Sequence, residues 1–479
     1  MTLNWIFFIA FIGVTAVVGI NASRKIETAE DYMVANRSLG PLAIACTMIA
    51  TWLGTGSLIG FVGTGWSFGI TVVSYCLAST IAALTIRALW CKWLRDKGFT
   101  TMPDWMAYIY GKDKWINAFT SFCYIFMYCS WTVAMSNGCG TMSANLLGIS
   151  RELGAIICGV IFTVFTISGG MKAVAKMDVF QQFVMGIGML ALLVGVGIKT
   201  GGFAGVTPSN LGKEFFNFSL PSPLWVVSIC LTYFLGNLFG QHYYQRIYAS
   251  KDLKTARFGL AAGAIAVFFV GIFCMLVGLS VRAAGLTVDA PDNTVFVAIE
   301  IWLPKFMGPV YLIAILAAAF STADSALNAA STNISHDIYK SIINPDATDK
   351  QMLNVAKIAT AVLGFICVLM AVRPVDMLVT IFKGAQVSLV GGIGWPIILG
   401  MYWKKATKTA ALFTIPIGAI TGILFEFHPY LKTLVGGGAI PGFVVGFLIM
   451  FFVSLATCSK GSCGDAFHRS EVVVKEDLA

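Results

Sequence analysis

Residues Thr47–Gly69 read TMIATWLGTGSLIGFVGTGWSFG, an apolar stretch that carries Gly54, Gly56, Gly60, Gly63 and Gly65 in its interior. A run of about 18 or more apolar residues is long enough to cross a bilayer. Glycines inside such a run either let a neighbouring helix pack closely or mark a place where the helix unwinds. A second stretch of the same kind is Leu231–Tyr244, LTYFLGNLFGQHYY, with Gly236 and Gly240. Their meaning depends on where they fall in the chain.

Of the 479 residues, 57% are hydrophobic and 11% are charged. A soluble domain has about a quarter charged residues. The longest polar connections, Phe203–Pro223 and Ala284–Leu303, are short and partly apolar, and the tail Ser459–Ala479 is too small to fold alone. Breaks at charge and Gly/Pro clusters predict an all-α membrane protein with thirteen transmembrane helices. They lie at roughly 3–21, 41–69, 71–91, 116–146, 152–170, 174–198, 224–246, 256–281, 305–339, 353–373, 376–402, 407–427 and 437–457. Spans 116–146 and 305–339 exceed one bilayer width and are expected to tilt or to project beyond it. The first run, Trp5–Val18, lacks the preceding positive charge of a signal peptide and is followed by Arg24 and Lys25.

The net charge of +9 could point to nucleic acid, but its distribution points to topology. With the N-terminus outside, 24 of the 32 Lys and Arg fall inside, 7 outside, and Lys383 alone lies within a span. This is the positive-inside bias. It predicts a multi-pass protein of the cell (inner) membrane, N-terminus out and C-terminus cytoplasmic, surrounded by lipid and with no nucleic-acid partner. The twelve cysteines are scattered without metal spacing and read as packing residues. No nucleophile–base pair stands out, so an enzyme is not expected.

The two Gly-rich stretches sit in spans two and seven, the first helices of two blocks of five. Paired interruptions at corresponding positions of two halves point to an inverted-repeat transporter with its site at the breaks. Unwound backbone frees carbonyls for a cation and helix N-termini for an anionic group. The domain organisation expected is a peripheral first helix and inside loop (1–40), a first inverted repeat (41–200), a second (201–402), two peripheral C-terminal helices (403–458) and a cytoplasmic tail (459–479).

Span nine contains Ile315–Ser335, ILAAAFSTADSALNAASTNIS. Ala318, Ser321, Thr322 and Ser325 share one face by helical spacing. Hydroxyl and carbonyl oxygens are the ligands a hard cation such as Na+ requires, although Ser and Thr also bond back to their own helix. Acids inside a span are costly and usually functional. Asp324 is mid-span; Asp178 is either a helix-end residue or part of the site. Lys383 either snorkels to the surface or lines the outer vestibule.

At these segments the chain resembles the sodium/solute symporter family of proline, pantothenate, sialic acid and sugar transporters. The resemblance runs from about Asp31 to Lys408. It is carried by DYMVANRSLGP after span one, TTMPDW before span four, SGGMKAVAKMDVFQQ at span six, YYQR ending span seven, AAAFSTADSALN in span nine and GMYWKKATKTAA after span eleven. The resemblance implies the LeuT-type fold, two inverted five-helix repeats with the site between them. It also implies a main Na+ site at Ala50, Leu53, Ala318, Ser321 and Thr322, and a second at Asp178, Ser321, Asp324 and Ser325. Asp324 stands where the sialic acid transporters have a Ser. The positions matching the solute contacts of the sugar-transporting members are Trp52, Ser57, Cys76 and Gln386, with Tyr233 and Asn237 facing the same region from span seven. Cys76 replaces the acid of the sugar carrier, which argues against a hexose. Lys383 hints at an amino acid or carboxylate.

The function expected is sodium-coupled symport of a small polar organic solute by alternating access, with Na+ as the coupling ion and one monomer sufficient. A sensor built on a transporter fold and a proton-coupled carrier using Asp178 or Asp324 are the competing readings.

Overall fold

A computed structural model of the chain describes residues 2–23, 28–373 and 378–458; Arg24, Lys25 and the tail 459–479 lie outside the described residues. The helices and half-helices that build the apolar body are α1 (Thr2–Ser23), α2 (Pro41–Trp52), α3 (Gly56–Phe68), α4 (Thr71–Lys97), α5 (Lys114–Leu147), α6 (Arg151–Lys199), α7 (Pro223–Leu238), α8 (Gln241–Ala249), α9 (Leu253–Ala283), α10 (Met307–Ile343), α11 (Asp349–Ala371), α12 (Leu378–Gly392), α13 (Gly394–Tyr402), α14 (Lys408–Phe427) and α15 (Ala439–Thr457). Their starts follow local chemistry. Asp113 accepts hydrogen bonds from the amides of Trp115 and Ile116 at the head of α5, and Thr348 forms a capping box with Gln351 at the head of α11.

Among the described residues, eleven helices are long and apolar enough to cross a membrane, or twelve if the bent pair α2–α3 is counted as one span. The expected thirteen differs because spans 152–170 and 174–198 run together as α6, 49 residues long. At 1.5 Å per residue such a helix would be about 74 Å long, more than twice the hydrocarbon thickness. It is kinked at Gly170, whose φ of 48° and ψ of −163° are non-helical. No proline marks the kink, so periodicity alone does not reveal it.

Both Gly-rich stretches are broken as expected. The axes of α2 and α3 meet at 56° across Leu53–Thr55, and α7 gives way to α8 at Phe239–Gly240. The long fourth and ninth spans appear as α5 and α10.

The core is built around α10, in which every residue from Ala314 to Thr332 is buried. An element enclosed on all sides must be lined by small side chains for its neighbours to approach. Gly188 of α6 faces Ala314 so closely that an added Cβ would lie 2.4 Å from the alanine methyl. At the periphery, α12 and α14 touch backbone to backbone: a Cβ on Gly391 would meet the Gly418 carbonyl at 2.2 Å. Large apolar residues such as Ile9, Phe122, Leu190 and Phe365 point outward, as a lipid-facing rim requires. Ten cysteines among the described residues are free, eight of them buried.

Gly170 combines positive φ with a close neighbour, since a Cβ would fall 2.6 Å from the Tyr32 ring. Gly170→Ala is expected to cost about 1–3 kcal/mol and to lower the melting temperature of the purified protein. Gly186→Ala, at a site open to 4 Å on the same helix, should leave it unchanged.

Candidate functional site

Leu53, at φ −105° and ψ 78°, ends α2. Gly54 follows because nothing larger fits: a Cβ there would sit 2.7 Å from Met135 Sδ and 2.9 Å from Thr322 Oγ1. The break thus rests directly on α10. Thr322 Oγ1 donates to the Ala50 carbonyl at 3.0 Å, and Ser321 Oγ donates to the Ala318 carbonyl at 3.1 Å. Ala50, Leu53, Ala318, Ser321 and Thr322 are all buried, so the fold places a set of carbonyl and hydroxyl oxygens where α2 ends against α10.

Asp178 and Asp324 are each fully buried. Asp324 Oδ1 accepts from Thr166 Oγ1 at 2.7 Å, and its Oδ2 has no hydrogen-bond partner. Neither oxygen of Asp178 has a well-formed hydrogen bond, although the Thr47 hydroxyl lies beside it. Ser325 Oγ accepts from Arg246 Nη2 at 2.6 Å. Sequence reasoning counted Arg246 among the inside charges; the structure buries it completely. The signal was present in QHYYQRIYA: four of its nine residues (Gln241, His242, Gln245, Arg246) are polar or charged, in the middle of an apolar chain, and all nine are buried.

Next to the break lies a cavity whose walls include Trp52, Ser57, Cys76, Tyr233, Asn237 and Gln386. Thr51, Phe61, Ser79, Trp131, His242 and Tyr243, which sequence reasoning did not single out, complete much of the lining. Ser57 Oγ donates back across the break to the Trp52 carbonyl at 3.0 Å. Asn237 Nδ2 donates to Ser79 Oγ at 2.9 Å, and Gln386 Nε2 donates to Asn237 Oδ1 at 3.2 Å. Rings dominate the remainder: Trp52 lies 5.0 Å from Tyr243 and Trp131 4.9 Å from His242, centroid to centroid. Trp52 Nε1, His242 Nδ1, Tyr243 Oη and Gln386 Oε1 are buried there without hydrogen-bond partners. No Asp, Glu, Lys or Arg among the described residues lines this cavity.

Lys383 neither reaches the surface nor lines the cavity. Its side chain is 2% exposed, and its Nζ lies 3.1 Å from Glu426 Oε2 of α14 and 5.5 Å from the centre of the Trp225 ring. A buried ammonium must find a carboxylate, and Glu426 supplies it. Glu426 also accepts from the Gly438 amide at 2.8 Å and faces Lys432 at 3.1 Å.

Although the sequence shows no metal spacing, the fold gathers Asp104, His336 and Asp337 within 4.8 Å of one another. Asp337 already accepts from Thr101 at 2.7 Å and from Asn333 at 2.8 Å, so the group clasps α10 to the Met102–Tyr110 helix.

Broken helices, an enclosed cavity between them and a small-residue helix at the centre define a membrane transporter. The chain belongs to the sodium:solute symporter family, whose sequence model matches residues 32–418. It is similar to the high-affinity proline transporter of Bacillus subtilis, at 27% identity over 472 residues covering 92% of this chain and 95% of that one. It is also similar to the sodium/pantothenate symporter of Escherichia coli, at 25% identity covering 89% and 92%. Among solved structures, a Na+-coupled sialic acid symporter in its substrate-bound outward-open state superposes with a TM-score of 0.81 at 16% identity, covering 95% of this chain and 98% of that one. The transporter Mhp1 in a closed conformation gives 0.56 at 15% identity, covering 93% and 98%. The family and these relatives are transporters rather than enzymes.

Glu426→Gln leaves Lys383 buried without its carboxylate, a change expected to cost about 3–5 kcal/mol. The double variant Lys383→Met/Glu426→Gln, which removes the buried charge, should recover most of the lost melting temperature in a thermal unfolding assay.

Proposed function

We propose that this chain is a sodium-coupled symporter that moves a small polar organic solute through the cavity beside the broken helices by alternating access. The observation that carries the reading is the contact of the Thr322 hydroxyl with the Ala50 carbonyl, directly beside Gly54 at the break. Those atoms offer a hard cation oxygen ligands in a water-poor site. Ala50, Leu53, Ala318, Ser321 and Thr322 form the main Na+ site in this reading; Asp178, Asp324 and Ser325 form a second with Ser321.

Counting α6 as two spans divided at Gly170 and α2–α3 as one gives thirteen spans in two inverted blocks of five, with the N-terminus outside. A single monomer then holds both ion sites and the solute cavity. Sodium entering along the membrane potential contributes roughly 2.3 kcal/mol per charge per 100 mV, and its concentration gradient adds to this.

Trp52, Ser57, Cys76, Tyr233, Asn237 and Gln386 are the proposed solute contacts. With Lys383 turned away, a solute carboxylate would be met by bound sodium and the α8 N-terminus. An amino acid or carboxylate is preferred over a hexose because Cys76 stands at the position of the sugar carrier's acid and no Asp or Glu among the described residues lines the wall.

Uptake into liposomes, driven by a sodium gradient and screened over amino acids, carboxylates and sugars, tests this. Ser321→Ala and Thr322→Ala are each expected to weaken the apparent sodium affinity by about tenfold or more without loss of expression. Unchanged sodium affinity would sink the ion assignment. Uptake that ignores sodium but collapses with a pH gradient would identify a proton-coupled carrier. Solute binding without any flux would identify a sensor.

A further inference from the structure

Arg246 is the one guanidinium among the described residues that is completely buried. It is permanently charged, and it reaches three elements. Nη2 donates to Ser325 Oγ of α10 at 2.6 Å, Nε to Thr47 Oγ1 of α2 at 3.4 Å, and Nη1 to the His242 carbonyl of its own helix α8 at 3.2 Å. Asp178 is close enough to Arg246, and Asp324 to Asp178, for each pair to interact electrostatically. Three of their four oxygens, Asp178 Oδ1 and Oδ2 and Asp324 Oδ2, lack a well-formed hydrogen bond.

Two carboxylates and one guanidinium leave one negative charge uncompensated. An isolated buried charge is strongly unfavourable, so with both carboxylates ionised the cluster would take one further monovalent cation. The guanidinium supplies the other positive charge from within the chain. Without it, two ions would be needed for neutrality.

The same side chain is tied to the solute cavity. Arg246 sits on α8 with His242 and Tyr243, whose side chains line that cavity. A cation drawn to Asp178, Asp324 and Ser325 would act on the partner that Arg246 holds, and any shift of the guanidinium passes along α8 to the cavity wall.

We propose that Arg246 is a built-in counter-cation that limits the acidic pair to a single sodium and links occupancy of that site to the His242–Tyr243 wall of the solute cavity. This rests on the sodium-coupled reading above. Arg246 touches neither solute nor substrate cavity directly; it is a positioning residue.

The test needs no knowledge of the solute. Binding of radiolabelled sodium and hydrogen exchange of Gln241–Ala249 are measured on the purified full-length chain in lipid nanodiscs. In the parent chain, sodium should bind and slow exchange in Gln241–Ala249. Arg246→Gln removes a positive charge beside the site, so sodium should bind about tenfold tighter or more, while the sodium-induced protection of that helix is lost. Arg246→Lys keeps the charge but not the planar fork. Its sodium affinity should stay within about threefold of the parent, again without protection. A merely structural arginine predicts weaker sodium binding in both variants.

Arg246→Gln that binds sodium equally or more weakly, or that keeps full protection of Gln241–Ala249, overturns the proposal. Should Arg246→Gln fail to fold, Arg246→Lys, which keeps the charge, decides the link by itself, and retained protection of Gln241–Ala249 in that variant overturns it. A parent chain that binds no sodium overturns the ion-coupled reading itself, which is a separate outcome from an Arg246→Gln variant indistinguishable from a sodium-binding parent.

Discussion

A backbone carbonyl or amide left without a partner in hydrocarbon costs several kcal/mol. A helix that breaks in mid-membrane must therefore hand its freed groups to something else. Here the break after Trp52 is covered by α10, and the contact is close enough that Gly54 has no space for a methyl group. Thr322 takes the Ala50 carbonyl and Ser57 takes the Trp52 carbonyl. The cavity lies directly beside that place. The remaining architecture serves this contact: α6 kinks at Gly170, α5 and α10 run long, and α8 restarts after Gly240.

The electrostatics follow from the same scarcity of water. The two wholly buried Lys and Arg side chains among the described residues each have partners. Lys383 is held by Glu426 at the junction of α12 and α14, and Arg246 is held by the hydroxyls of Thr47 and Ser325 and the His242 carbonyl. The solute cavity is kept free of formal charge, and its polar atoms are amides, hydroxyls and ring nitrogens. Such groups orient a ligand without demanding a counter-charge, which leaves the strong fields of the site to the ions.

Much of this was legible in the sequence because membrane helices announce themselves by length and glycine by position. The break at Gly54 and the hydroxyl face of Ser321, Thr322 and Ser325 were readable directly, and the resemblance to a known family supplied Ala50, Leu53 and Gln386. Other features were not readable. Gly170 kinks α6 through a single backbone conformation, which no hydropathy pattern records. Lys383 seemed to face water because its partner Glu426 lies 43 residues later in the chain, and pairing at that separation has no periodicity. Arg246 passed for a loop cation because it stands near Lys251 and Lys254, although its whole helix is enclosed. His242, Tyr243 and Trp131 were missed because an aromatic ring in a membrane helix usually means packing, and only the enclosed space between them shows otherwise.

The unbroken burial of α10 from Ala314 to Thr332 has a further consequence. Its alanines, serines and threonines are hemmed in on every side, so a larger side chain at most positions would push apart several helices at once. The wall of the cavity is different: its side chains come from α2, α3, α4, α5, α7, α8, α9 and α12, each contributing a few atoms to open space. In the proposed sodium-coupled reading, selectivity can therefore be altered one substitution at a time, while the machinery that harvests the ion gradient must be inherited whole. A scaffold divided in this way can acquire new cargo without redesigning its motor.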